Sequence, residues 1–230
     1  ELKRMTGKWE SAICFVSGVA AGLLLGLDAF MWKESVVVNR IAVTSVPWFL
    51  AVLVCLLRWI YAPHQLRYAY WAAFLFGLCI TLHQSLIVAA LGIEVALAAG
   101  NPKLGRDAFF GNFIVYLLDY VILGLTGDHM FRNIAKPGVI IIFTGVGWGS
   151  FAVSMWLAAR TKGLLTCWKP VLIMAGLWAL GVSFYLYMAV SGMTNPPMQW
   201  GYPRTVEGFF HAISRGQYEQ PSPTNPVTEP

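Results

Sequence analysis

The chain has 230 residues, of which 57% are apolar and 12% charged, and its mean hydropathy is +0.62. That balance excludes an ordinary soluble domain and points to a bilayer as the main solvent. The net charge of +5 does not indicate nucleic acid, because Lys and Arg fall in pairs and triplets between apolar runs and mark the ends of membrane crossings.

The first apolar run is Ser11 to Met31. It follows Lys3, Arg4 and Lys8 but is of span length and has no small-x-small cleavage site, so it reads as a span and not as a signal peptide. The chain begins at Glu1 and closes at Pro230 in a polar Pro-rich stretch, which suggests a piece of a longer protein. A short polar loop with Lys33, Glu34, Asn39 and Arg40 separates this run from a second, Ile41 to Tyr61. The second ends in Arg58, Trp59 and Tyr61, the amphipathic types of an interfacial belt.

Tyr70 to Ala99 is too long for one ordinary span and short for two, with His83-Gln84 in its middle. It reads either as one tilted helix or as a tight pair. Further runs cover Phe109 to Thr126, Gly138 to Ala159 and Pro170 to Val190. From Ser191 onward the chain is polar and rich in Pro.

Charge distribution favours the pair. If two short helices meet at His83, then Lys3, Arg4, Lys8, Arg58, Arg67, Lys103, Arg106, Arg160, Lys162 and Lys169 share one side. Lys33, Arg40, Arg132, Lys136, Arg204 and Arg215 share the other. A single crossing gives a weaker bias. The expected architecture is therefore an all-α, polytopic helix bundle over residues 1–190 with about seven crossings. An extracytoplasmic juxtamembrane segment, 191–230, follows, and the amino terminus is cytoplasmic.

The four cysteines, Cys14, Cys55, Cys79 and Cys167, form no CxxC pair and read as small buried hydrophobes. No metal, Walker or dinucleotide motif occurs, and no cofactor is implied. His83 has two readings: a hydrogen-bonded structural residue, or a polar group that a helix break exposes to a ligand at a membrane face. The loop from Trp32 to Arg40 is a solvated turn, or else Lys33 or Arg40 meets an anionic phosphate. Asp119, inside an apolar run, must face the bundle interior or a wet cavity, where it pairs or contacts substrate. Asp28 and Glu94 lie nearer span ends and reach the interface. In the tail, Thr205 caps a short amphipathic helix with Glu207 in its first turn and Phe209, Phe210 and Ile213 on an apolar side.

The tail phrases Asn195-Pro196-Pro197 to Pro203-Arg204-Thr205, Glu207-Gly208-Phe209 and Arg215-Gly216-Gln217-Tyr218 resemble the DUF2723 membrane proteins, relatives of the protein O-mannosyltransferases. Ala29-Phe30-Met31-Trp32 and Gly77-Leu78 followed by His83 are also similar. The resemblance implies a GT-C glycosyltransferase, a multi-helix enzyme that takes sugar from a polyprenyl-phosphate donor on the extracytoplasmic face. Its partners would be membrane lipid, that lipid-linked sugar donor and a protein or glycan acceptor, with no nucleic acid. His83, Arg40, Lys33, Asp119, Trp200 and Arg204 are the candidate substrate-binding residues. The chain departs from the family pattern at Asn39, Ile41, Leu82 and Tyr202, and the family's catalytic Asp lies upstream of the matched region. The alternative is a nonenzymatic transporter or assembly subunit with a polar path lined by Asp119 and His83.

Overall fold

The computed structural model describes residues 8–37, 40–126, 137–195 and 202–213, and among these it is all-helical. The helices are α1 Lys8–Gly26, α2 Ala29–Val37, α3 Arg40–Tyr61, α4 Leu66–Leu82, α5 Ala89–Gly100, α6 Pro102–Thr126, α7 Pro137–Thr161, α8 Trp168–Val182, α9 Leu186–Met193 and α10 Val206–Ile213. Five segments are long and apolar enough to cross a membrane: Trp9–Gly26, Thr44–Tyr61, Pro102–Leu125, Ile141–Thr161 and Trp168–Met193. Helices are the economical answer to a hydrocarbon solvent, since each satisfies its backbone groups within one segment.

Within the stretch expected as a loop after Met31, residues 32–37 are instead helical. Asp28 stands just before α2, and its carboxylate accepts the N–H of Met31 at 3.1 Å, capping that helix. α1 is exposed from Ser11 to Gly26, and Cys14 on it is exposed, so that cysteine is not the buried hydrophobe its run suggested. Cys79 is fully buried.

The core gathers where α3, α4, α5 and α8 meet. Val52, Leu56 and Trp59 recur at helical spacing on the inner face of α3 and pack with Ala69, Ala72, Phe76 and Cys79 of α4 and Leu97 of α5. Trp59, expected in the interfacial belt, is fully buried, whereas Tyr61 two residues on is 72% exposed. A step of two residues turns a helical side chain by about 200°, so both cannot face the headgroups.

Small residues set the close crossings, as bilayer packing requires. A Cβ on Gly77 of α4 would come within 2.3 Å of the Trp178 carbonyl, and one on Gly181 of α8 within 2.4 Å of the Phe74 carbonyl. One on Gly105 would lie 2.3 Å from Cα of Ala98, which fixes the tight return from α5 into α6. Asn101 caps that return, accepting the N–H groups of Lys103 and Leu104 at 3.1 and 3.3 Å, and Pro102 fills the first helical position.

At the same end of the bundle, Arg106 and Asp107 are fully buried and joined at 2.6 Å. The Arg106 guanidinium donates to the Thr161 and Thr166 hydroxyls at 2.7 Å and to the Gly163 carbonyl. The Asp107 carboxylate accepts the N–H groups of Leu165 and Cys167 at 3.1 and 2.6 Å. The pair therefore holds the α7–α8 connection, including Lys162 and Leu165 at positive φ, against the start of α6. Removing one partner strands the other as a buried charge. Asp107→Ala is expected to destabilise the protein by about 3–5 kcal/mol, read as a fall in the unfolding midpoint in detergent, while exposed Lys103→Ala leaves it within about 0.5 kcal/mol.

Candidate functional site

Residues 66–100 form a hairpin. α4 leaves the end marked by Trp59, the chain reverses at His83, and α5 returns to that end, where Gly100 sits so close to the Trp59 ring that a Cβ would lie 2.6 Å from it. Each arm is 17 residues, Leu66–Leu82 and Gln84–Gly100. Of the two readings of this stretch, the helical pair is the one the structure adopts.

The break itself is a single extended residue. His83 has φ −146° and ψ 106°, and Gln84–Val88 then makes a 3-10 turn before α5. Ending a helix frees its last carbonyls, and here side chains take them up. Tyr185 donates its hydroxyl to the Ile80 carbonyl at 2.8 Å, Thr81 donates to Leu78 at 2.7 Å, and the His83 N–H returns to Cys79 at 2.9 Å. Tyr185 belongs to a second 3-10 turn, Ser183–Tyr185, between α8 and α9. Two interruptions thus lie side by side, with Phe184 edge-on to Phe74 at 6.5 Å.

The half-buried His83 ring bonds through Nδ1 to the Ser85 hydroxyl. Nε2 has no partner among the described residues. One tautomer makes it a donor to an anionic oxygen and the other a base toward a hydroxyl.

The tail closes over this break. The Gln84 amide donates to the Ile213 carbonyl at 2.7 Å, which ties the last turn of α10 to the residue after His83. The Thr205 hydroxyl accepts the Gly208 N–H at 3.0 Å, the cap expected from the sequence. Arg204 is exposed and donates to the Asn195 side chain at 2.8 Å, bridging the two ends of the segment that leads to α10. Trp200 and Arg215 lie outside the described residues.

The other candidates sit apart from His83. Arg40 opens α3 at the end of the bundle to which the hairpin brings His83; Lys33 is exposed on α2, which leads into that end. Asp119 is 4% exposed within an uninterrupted α6, so it faces the bundle interior as an apolar run demands. Glu94 is half-buried and engaged within the bundle. It lies mid-helix in α5, with both carboxylate oxygens 2.7 Å from the Asn112 amide of α6. The signal for this pair was a carboxylate and an amide inside consecutive apolar runs, each needing a partner out of water.

Among the described residues, an all-helical fold with five segments of span length and apolarity is compatible with a multi-pass membrane protein. Compared with protein families, curated proteins and solved structures, the chain matches none.

If Gln84 anchors α10, Gln84→Ala removes one net hydrogen bond of about 1 kcal/mol. Backbone amides of Val206–Ile213 are then expected to exchange roughly fivefold faster by hydrogen–deuterium exchange. Tyr185→Phe should leave α10 unchanged and speed exchange near His83 instead.

Proposed function

We propose that the chain is part of a GT-C-like membrane glycosyltransferase that moves sugar from a polyprenyl-phosphate donor to an acceptor on the extracytoplasmic face. One observation carries the reading: the His83 break carries an imidazole with an uncommitted Nε2, and the tail helix is bonded to it. In this reading both arms of the hairpin cross the bilayer, giving seven crossings. The end rich in Lys and Arg is cytoplasmic, and His83 and α10 face outward.

The imidazole donates to the donor phosphate, and Lys33, Arg40 and Arg204 supply cationic charge from the same face. The general base that activates the acceptor hydroxyl is a carboxylate that the family resemblance places in an outer loop upstream of these residues. α10 lies along the interface and covers the phosphate from the aqueous side, with Phe210 outward and Ala212 inward.

A second reading draws on α6. Asn112 and Asp119 are seven residues apart, hence on nearly one face, and Asn112 already holds Glu94. Such a row fits a polar path in a transporter. In that case substrate flux would respond to Asp119→Asn, and lipid-linked sugars would not be consumed.

A transfer assay on the full-length protein with polyprenyl-phosphate sugars separates the two. Loss of a charge-directed hydrogen bond in His83→Ala is expected to slow turnover about 10²-fold or more, and unchanged turnover removes His83 from the site. Sidedness is checked separately: a Cys at position 83 should react with an impermeant thiol reagent from outside, and one at Lys103 from the cytoplasm. Labelling of both positions from one side would sink the hairpin orientation.

A further inference from the structure

At the end of the bundle away from His83, the α3–α4 turn carries a groove of about 410 Å³. Val54 and Leu57 form its apolar floor; Arg58, Tyr61, Gln65 and Tyr68 form its polar mouth. Val54, Leu57, Arg58 and Tyr61 follow helical spacing down one outer face of α3, so the groove runs from an exposed apolar flank up to a cationic rim.

Two guanidiniums converge on one ring there. Arg58 lies 5.9 Å and Arg67 4.9 Å from the centroid of Tyr68. Arg67 does not itself line the groove, but it donates to two residues that do, the Gln65 side chain at 2.8 Å and the Tyr68 hydroxyl at 3.3 Å. Both arginines are exposed, and no Asp or Glu occurs anywhere between Glu34 and Glu94. Like charges gathered on one ring repel, and ring and amide contacts offset that only in part, so the cluster calls for an anion.

The groove also states what bears the anion. Its floor belongs to the span Thr44–Tyr61, so it opens into hydrocarbon, where an acidic peptide would be desolvated at high cost but an acyl chain would not. We propose that the α3–α4 groove binds an anionic phospholipid of the leaflet at that end, its phosphate between Arg58 and Arg67 and one acyl chain along Leu57 and Val54. This site is distinct from the His83 face and does not depend on glycosyl transfer.

The test is native mass spectrometry of the full-length protein released from detergent with equimolar phosphatidylglycerol and phosphatidylcholine. The wild type is expected to retain one phosphatidylglycerol in preference. Arg58→Gln with Arg67→Gln should lower that adduct about tenfold or more, whereas Arg160→Gln with Lys169→Gln, at the same end, should leave it in place. Leu57→Trp keeps both charges but fills the floor, and should also lose the adduct while size-exclusion elution stays unchanged. An adduct that survives either the double Arg variant or Leu57→Trp, or falls equally in the Arg160 and Lys169 control, overturns the proposal.

Discussion

The buried pair of Arg106 and Asp107 is the contact from which the outer architecture follows. A membrane protein gains little from moving apolar surface between lipid and protein, so its helix order depends on packing and on the few polar groups placed inside. Arg106 and Asp107 hold the connection 161–167 against the start of α6, which sets where α8 begins. α8 then crosses α4 at Gly77 and Gly181, so closely that neither position admits a Cβ. That crossing carries Tyr185 to the Ile80 carbonyl, the group left open when α4 ends at His83. A charge pair at one end of the bundle thus supports a helix break at the other.

The spans were legible because apolar length is a coarse signal that tertiary context does not overturn. The break at His83 was legible for a different reason: two crossings of the stretch around it sort the Lys and Arg residues better than one. Seven members of the larger group, Arg58, Arg67, Lys103, Arg106, Arg160, Lys162 and Lys169, lie at the end marked by Trp59 and the α7–α8 connection. The Thr205 cap was legible because it is local.

What escaped the sequence was pairing across distance. Arg106 reads as one more cation at the end of a crossing and Asp107 draws no notice, because neither residue says that Thr161, Thr166 and Cys167 will fold around the pair. Glu94 reads as interfacial from a place near a span end, and only the packing of α5 on α6 brings Asn112 to it. Trp59 followed the rule that Trp prefers headgroups, but its helical phase with Val52 and Leu56 turns it inward against Gly100. Its indole Nε1 is buried without a hydrogen-bond partner among the described residues, a cost accepted for filling the space that glycine leaves.

Saturation of hydrogen-bonding capacity separates structural polar groups from the candidate site. Arg106 spends its guanidinium on a carboxylate, two hydroxyls and a carbonyl, and Asp107 accepts from Arg106 and two backbone amides. Glu94 has both oxygens on Asn112. Groups so fully engaged can hold helices but have little left for a ligand, since rebinding would first break bonds made in a low-dielectric setting. His83 differs. Its Nδ1 is fixed by Ser85, which orients the ring, and its Nε2 stays uncommitted beside a helix end where the Ile80 carbonyl accepts from Tyr185 and the Cys79 carbonyl from the His83 N–H. The imidazole itself bonds to Ser85 and caps neither of these carbonyls. An oriented ring with one open nitrogen, close to a tethered helix, is the feature on which the proposed substrate contact rests.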